Sequence, residues 1–208
     1  GDVYKRQVQT HRGRGYRFVG EVEAVEGRTD QGFHHGEAFV GRQLELAELE
    51  RLFMRTAQTG QGGVVVVSGD AGIGKTRLVE EFRGRLEGRS VRTALGRGLA
   101  GEGAPAFLAW AHVLHQVLDT VADQELEEMV GVAADDLAQL APEISERTGR
   151  SPARPASGEY ARLRLFTALG DFLSKVAGRR GLVVVLDDVQ WLDESSLLLL
   201  ASLAEGLS

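Results

Sequence analysis

The chain has 208 residues, enough to bury a core, and its 43% hydrophobic and 26% charged residues are typical of a globular protein. It contains no cysteine, which excludes a disulfide framework and a thiolate metal site. Because no apolar run reaches membrane-spanning length and no signal peptide opens the sequence, we expect a cytoplasmic protein.

The net charge of −6 is unevenly distributed along the chain. Residues 1–19 contain five basic side chains and one acidic one, a charge of +4, which leaves −10 for the remainder. This asymmetry indicates that the two parts have different partners, the alternative being a solvated, charged terminus. Within the basic stretch, two extended runs flank a turn at residues 12–15, a pattern that predicts a β-hairpin over residues 8–20.

The hairpin sequence resembles the closing wing of the winged-helix DNA-binding domain of response-regulator type. The residues that carry the resemblance are Val8-Gln9-Thr10 and Arg12-Gly13-Arg14-Gly15-Tyr16-Arg17-Phe18. It implies that Arg12, Arg14 and Arg17 contact the DNA backbone or minor groove. It also implies that residues 1–20 are the end of a truncated domain, whose complete form would bind DNA.

Residues 21–37 are polar and contain glycine, which predicts a linker. A short turn then leads into a helix with one buried stripe, formed by apolar residues at helical spacing, while Glu45, Glu48 and Glu50 are expected on its other faces. The stripe consists of Leu46, Leu49, Leu52 and Phe53.

The turn before that helix, Phe39-Val40-Gly41-Arg42, resembles the entry of AAA-related and STAND-type ATPases. In these families the segment lies over the adenine and ribose of the nucleotide. The resemblance therefore implies that Val40, Gly41 and Arg42 contact a nucleotide.

A glycine-rich phosphate-binding motif, G-x-x-x-x-G-K-T, lies at residues 69–76 between an apolar run at 63–68 and a predicted helix at 75–86. The apolar run predicts a parallel-sheet strand that is covered on both faces. Lys75 is expected to neutralise the β- and γ-phosphates, and the Thr76 hydroxyl to bind Mg²⁺. The glycines permit backbone angles and a close approach that a Cβ atom would block. The predicted nucleotide contacts are Gly69, Asp70, Ala71, Gly72, Ile73, Gly74, Lys75, Thr76 and Arg77.

Periodicity predicts the elements that follow. They are a strand at 91–95, helices at 107–121 and 160–177, and short helices within 123–147. The sequence contains no convincing arginine finger, and Arg97 is the position worth inspecting. The expected buried stripe residues are Trp110, Val113, Leu114, Val117, Leu118, Leu165, Leu169, Phe172 and Val176.

A second motif, an apolar strand that ends in Asp187 and Asp188, has the Walker B pattern. Ligands collect at the carboxyl ends of strands in open α/β sheets. Asp187 is expected to hold Mg²⁺ directly or through its water shell. With Lys75, Asp188 is the predicted catalytic residue that polarises the attacking water, the alternatives being to complete the Mg²⁺ shell or to cap the next turn. The strands that lead to Lys75 and Asp187 are expected to be neighbours, or nearly so, in one sheet.

The continuation, Val189-Gln190-Trp191-Leu192-Asp193-Glu194-Ser195-Ser196, resembles the Walker B region of regulatory ATPases in large LuxR-type and related bacterial transcriptional activators. Many relatives carry His where this chain has Gln190. Asp193 is expected to cap a helix at residues 195–203, and Trp191 to be a packing anchor.

The resemblance spans residues 38–208 and implies a P-loop NTPase of the α/β class, a parallel sheet flanked by helices and incomplete at its C-terminus. It implies ATP and Mg²⁺ as cofactors, self-association, and slow hydrolysis that serves as a switch. We interpret the intact protein as a signal-responsive transcriptional regulator. The alternatives are an ATPase module attached to an adenylate cyclase or kinase, a P-loop phosphotransferase, and a DNA-binding protein with a vestigial P-loop.

Overall fold

The computed structural model describes residues 41–89, 91–101, 105–150, 158–178 and 180–207, together with the backbone of three short strands nearer the N-terminus. These strands are β1 (Val8–His11), β2 (Gly15–Phe18) and β3 (Glu23–Ala24). β1 and β2 pair antiparallel, while the turn at residues 12–14 that would join them lies outside the described residues.

Helices and parallel strands make up the rest of the described chain, and none of its helices is long and apolar enough to cross a bilayer. The predicted helices at 75–86, 107–121 and 160–177 are present with small shifts at their ends. The elements in order are α1 (Gln43–Thr59), β4 (Val65–Val66), α2 (Lys75–Glu87), β5 (Arg92–Arg97), α3 (Leu108–Leu118), α4 (Asp123–Val130), α5 (Ala134–Leu137), α6 (Glu143–Arg147), α7 (Glu159–Ala177), β6 (Leu182–Asp187) and α8 (Glu194–Gly206).

The strands form two separate parallel ladders. β5 pairs with β6 over its whole length, and Arg97 lies directly opposite Asp187. β4 pairs with β3, a short strand within the stretch predicted to be a linker. The prediction that the strands leading to Lys75 and Asp187 share one sheet is therefore wrong for the described residues. The two motifs still meet, because the side chain of Thr76, in the first turn of α2, contacts Asp187 at the end of β6.

The strand before the glycine-rich loop is shorter and less covered than predicted. β4 comprises two residues, and Val65 and Val66 are 37% and 42% exposed. The expectation that both faces are buried was wrong, because in the described part of the chain β4 has only the two-residue β3 beside it. An apolar run therefore predicted the strand but not its burial.

Most of the buried apolar surface lies on the helical side of the β5–β6 ladder. α3, α4, α5, α6, α7 and α8 enclose one large core, in which Trp110 is 2% exposed and donates its indole N–H to the carbonyl oxygen of Ser196 at 3.1 Å. A second, smaller core joins α1 to α2 and consists of Leu46, Leu49, Leu78, Phe82 and Leu86. The core between α1 and α2, next to the glycine-rich motif, thus contains fewer buried side chains than the core enclosed by α3–α8.

Two side chains occupy environments opposite to those predicted. Glu45 was expected on an exposed face of α1 but is 9% exposed, since it lies one turn before Leu49 on the inward side of the helix. Trp191 was expected to anchor the packing but is 51% exposed, and the neighbouring Leu192 is buried in its place. The capping prediction is confirmed: Asp193 accepts a hydrogen bond from the Ser196 backbone N–H at 3.0 Å.

Candidate functional site

The glycine-rich loop adopts the backbone conformations that its sequence predicts. Gly69, Gly72 and Gly74 have φ angles of +152°, +75° and +91°, a region that a side chain makes costly. The loop ends at Lys75, where α2 begins. The positive end of the helix dipole therefore lies at the loop, a position that favours an anion.

Lys75 is held by the loop itself. Its ammonium group donates hydrogen bonds to the carbonyl oxygens of Gly69 and Asp70, both at 2.9 Å. The loop also closes on itself through the Ile73 N–H, which donates to the Asp70 carbonyl at 3.4 Å. These contacts hold the positive charge of Lys75 against the backbone of the glycine-rich loop.

The structure brings together two motifs that are far apart in sequence. The Thr76 hydroxyl donates to Asp187 Oδ2 at 3.2 Å, across a separation of 111 residues. The same oxygen accepts a hydrogen bond from the Arg97 guanidinium, also at 3.2 Å. The other oxygen, Asp187 Oδ1, accepts the Asp188 backbone N–H at 3.0 Å. Both carboxylate oxygens are therefore oriented by neighbouring groups.

The second aspartate lies in a constrained turn. Asp188 has a φ angle of +54°, which is uncommon for a residue other than glycine, although aspartate tolerates it better than most. Its backbone carbonyl accepts the Trp191 N–H at 2.8 Å, and its carboxylate accepts the Gln190 side-chain amide at 3.1 Å. Gln190 thus fixes the orientation of a carboxylate next to Asp187.

Two glycines let neighbouring elements approach the carboxyl end of β5. A Cβ atom on Gly98 would lie 2.4 Å from the Asp188 carbonyl oxygen, and one on Gly96 would lie 2.4 Å from that of Ala109. The Gly98 N–H donates to the Asp187 carbonyl at 3.0 Å. The absence of side chains at these positions allows the turn at Asp188 to lie against β5.

The chain before α1 is tied to the glycine-rich loop. Gly41 and Arg42 both have positive φ angles, and the Arg42 guanidinium donates to the Ile73 carbonyl oxygen. A pocket adjoins this contact, and its lining includes Glu45, which is 9% exposed. The other lining residues are Arg42, Leu49, Val67, Ser68, Gly69, Ile73 and Leu78.

The donor chemistry of the site fits Mg²⁺. A hydroxyl and a carboxylate supply hard oxygen ligands, which Mg²⁺ prefers. The described residues contain no group of three or more His, Asp or Glu side chains that could hold an ion. Thr76 and Asp187 would therefore need phosphate oxygens and water to complete the coordination of Mg²⁺.

Some predicted site residues take no part in these contacts or lie outside the described residues. Arg77 lies with Glu80, Glu81, Gly84 and Arg85 along a groove on α2, and its nucleotide contact stays a prediction. Val40, Arg12, Arg14 and the side chain of Arg17 lie outside the described residues.

Sequence reasoning missed the roles of Arg97 and Gln190 as partners of the two aspartates. A signal for Arg97 was available, because it ends a predicted strand and the carboxyl ends of parallel strands meet at one edge. Gln190 was noted only as a departure from His. The buried Glu45 was missed because its charge suggested exposure.

Comparison with known proteins gives one family and one relative. The family described as "AAA ATPase domain" matches residues 38–208. The chain is 30% identical over 182 residues to "Uncharacterized protein R02095" of Rhizobium meliloti (strain 1021), an alignment that covers 77% of this chain and 16% of that protein. The chain thus spans about a sixth of the length of this relative. No solved structure matches the chain.

Proposed function

The chain belongs to the AAA ATPase domain family, and on that premise we propose that it binds ATP with Mg²⁺ and hydrolyses it slowly, as the switch of a larger regulator. The observation that best supports this proposal is the 3.2 Å contact between the Thr76 hydroxyl and Asp187 Oδ2. A phosphate-loop hydroxyl and the carboxylate of an apolar strand are the two protein anchors for the metal in P-loop NTPases.

The glycine-rich loop would bind the phosphates. Its backbone N–H groups and the helix N-terminus supply a positive cradle. Lys75 would exchange its contacts with the Gly69 and Asp70 carbonyls for phosphate oxygens, which form stronger, charge-assisted hydrogen bonds. The predicted contacts from Gly69 to Thr76 all lie on this loop or at the start of α2.

Thr76 and Asp187 would hold Mg²⁺, which when bound neutralises charge that develops on the transferred phosphoryl group. Asp188 would orient the attacking water and accept its proton. Its carboxylate is held by Gln190 at 3.1 Å, so the water would meet a fixed acceptor.

The segment before α1 would bind the base. The Arg42 guanidinium joins this segment to the glycine-rich loop by donating to the Ile73 carbonyl oxygen, and Glu45 lines the adjoining pocket. Val40 and Gly41 would contribute backbone groups next to the adenine and ribose. These contacts would couple the base to the phosphate end of the site.

We further propose that the whole protein is a STAND-type, LuxR-like transcriptional regulator that assembles when ATP is bound. The support is the resemblance of residues 189–196 to that group and of residues 8–18 to a winged-helix wing. Ordering of segments around a γ-phosphate and Mg²⁺ is an established type of switch. Arg12, Arg14 and Arg17 would contact DNA in the complete domain.

Calorimetric titration of ATP in Mg²⁺ tests nucleotide binding. Lys75→Ala removes the only side-chain cation of the loop and should weaken ATP binding by about 100-fold, since it deletes charge-assisted hydrogen bonds. Lys175→Ala is a matched control, because Lys175 lies on α7 and its ammonium donates to the Met129 carbonyl at 2.7 Å. Equal ATP affinity in Lys75→Ala and wild type would refute the assignment of the loop.

Filter binding of the full-length protein to its DNA tests the wing. Reversing the charges of Arg12 and Arg14 should weaken binding and reduce its dependence on salt, because fewer counterions are then released. An unchanged salt dependence would show that these arginines are solvated charges without a DNA contact.

A further inference from the structure

Arg97 shares a single carboxylate oxygen with Thr76. Its guanidinium and the Thr76 hydroxyl each lie 3.2 Å from Asp187 Oδ2. In the described residues the Arg97 side chain has no other hydrogen-bond or ion-pair partner, and it is 50% exposed. A cation that belongs to the protein therefore lies at the oxygen where a metal ion would bind.

Strand pairing fixes the backbone of Arg97, whereas its side chain is half-exposed and has Asp187 as its one partner among the described residues. Arg97 lies opposite Asp187 in the parallel β5–β6 register, and the next residue, Gly98, donates its N–H to the Asp187 carbonyl at 3.0 Å. Arg92, at the other end of β5, provides a contrast: its guanidinium is held partly buried by the Val176 carbonyl at 2.7 Å. Arg97 alone of these two has a side chain that is free to change partner.

We propose that Arg97 is a positioning residue that holds Asp187 until the metal and nucleotide arrive, and that then moves to a phosphate oxygen. This inference rests on the proposed function of the site. Mg²⁺ and a guanidinium compete for the same oxygen and repel each other, so a metal ion bound there displaces Arg97. A guanidinium fits phosphate oxygens with two parallel hydrogen bonds, which gives the displaced side chain a favourable partner nearby.

This exchange makes the binding of metal and nucleotide cooperative. A metal ion alone must displace Arg97 without giving it a new partner, and it therefore binds weakly. A nucleotide supplies that partner, so each ligand raises the affinity for the other by the same factor. The protein would thereby respond to the metal–nucleotide complex rather than to free metal.

Two titrations test the proposal. Mn²⁺ alone, followed by electron paramagnetic resonance, measures metal binding to nucleotide-free protein, and ATP in EDTA measures nucleotide binding without metal. Arg97→Gln should bind Mn²⁺ about three- to fivefold more tightly, because an exposed ion pair no longer competes. It should bind metal-free ATP about tenfold more weakly, because a charge-assisted contact to phosphate is lost. An Mn²⁺ affinity or a metal-free ATP affinity equal to that of wild type overturns the proposal.

Two further variants separate the effect of charge from that of structure. Arg89→Gln removes the same charge at an exposed position, where the guanidinium lies 3.4 Å from the Met54 sulfur, and it should leave both titrations unchanged. Arg97→Lys keeps the charge and should bind Mn²⁺ within about twofold of wild type. If Arg97→Lys gains Mn²⁺ affinity as Arg97→Gln does, competition between charges is not the cause and the proposal fails.

The wild-type titration separates this proposal from the proposed function. Wild-type protein that binds no ATP in the presence of Mg²⁺ refutes both. Wild-type protein that binds ATP, together with an Arg97→Gln variant that matches it in either titration, refutes the role of Arg97 alone.

Discussion

Two regions of this protein are built differently. We call α3–α8 the helical body, and α1, β4, the glycine-rich loop and α2, together with the carboxyl ends of β5 and β6, the nucleotide end. The helical body encloses a large core, in which residues such as Leu114 and Leu169 are completely buried. The nucleotide end has the small core between α1 and α2, exposed valines in β4, and polar contacts among Thr76, Asp187 and Arg97. Apolar burial stabilises the first region, whereas hydrogen bonds and charge organise the second.

This contrast predicts which region determines the stability of the protein and which determines its affinity for a ligand. Interior packing sets the stability of the helical body whether or not ligand is present. A ligand that binds only the folded protein adds stability by mass action, about 2.7 kcal/mol at one hundred times its dissociation constant. We therefore expect variants in the two regions to separate, core variants changing stability and site variants changing binding.

The largest expected effect comes from the two tryptophans. Trp110→Ala removes a buried ring together with its indole hydrogen bond to the Ser196 carbonyl, so the free energy of unfolding should fall by about 3–5 kcal/mol. Trp191→Ala removes a half-exposed ring and should cost less than about 1 kcal/mol. Urea unfolding measures both. Equal losses would contradict the assignment of Trp110, rather than Trp191, as the packing anchor.

A pair of glycines sharpens the comparison. Gly98→Ala places a Cβ atom 2.4 Å from the Asp188 carbonyl, so the turn must shift, at a cost of about 2 kcal/mol and with weaker nucleotide binding. Gly84→Ala, in α2 with open space around its Cβ, should instead stabilise the protein by about 0.5–1 kcal/mol. Thermal unfolding and ATP titration of the two variants check these signs. A destabilising Gly84→Ala with a neutral Gly98→Ala would refute the close approach.

A smaller loss of stability than that of Trp110→Ala or Gly98→Ala is expected at the start of α8. Asp193 accepts hydrogen bonds from the Ser196 N–H at 3.0 Å and from the Phe107 N–H at 3.1 Å, so it caps α8 and joins it to the start of α3. Asp193→Ala should lower the free energy of unfolding by about 1 kcal/mol. Asp193→Asn keeps one acceptor oxygen, so its free energy of unfolding should fall by less than that of Asp193→Ala. Chemical denaturation of the three proteins decides, and identical curves for wild type and Asp193→Ala would rule out the cap.

The sequence predicted the elements more reliably than their surroundings. Helical periodicity correctly identified α3 and α7, and the Walker B pattern correctly ended a strand at Asp187. The exposure of Val65 and Trp191 was not predictable, because it depends on which elements pack against them. Local patterns specify secondary structure and one apolar face, whereas burial is a property of the assembled fold.

In the candidate site, too, the sequence predicted some contacts, while others depend on the assembled fold. The loop glycines and the Thr76–Asp187 contact followed from motif spacing, because each motif carries a known geometry. The partners Arg97 and Gln190 did not, because their contacts depend on strand register and on a turn with positive φ at Asp188. Motifs therefore predicted that Thr76 and Asp187, the proposed metal ligands, lie together, while only the structure placed the residues that orient Asp187 and Asp188.

We propose that Thr76 and Asp187 together hold a metal ion that is bound to the nucleotide, and the dependence of ATP affinity on Mg²⁺ decides whether they do. Titrations with and without Mg²⁺ should show wild type, and the exposed control Asp171→Asn, gaining about tenfold or more from the metal. In Asp187→Asn, Mg²⁺ should raise the ATP affinity by no more than about twofold, because a proposed metal ligand has been removed. A gain in ATP affinity from Mg²⁺ that is as large in Asp187→Asn as in wild type would show that Asp187 does not hold the metal ion.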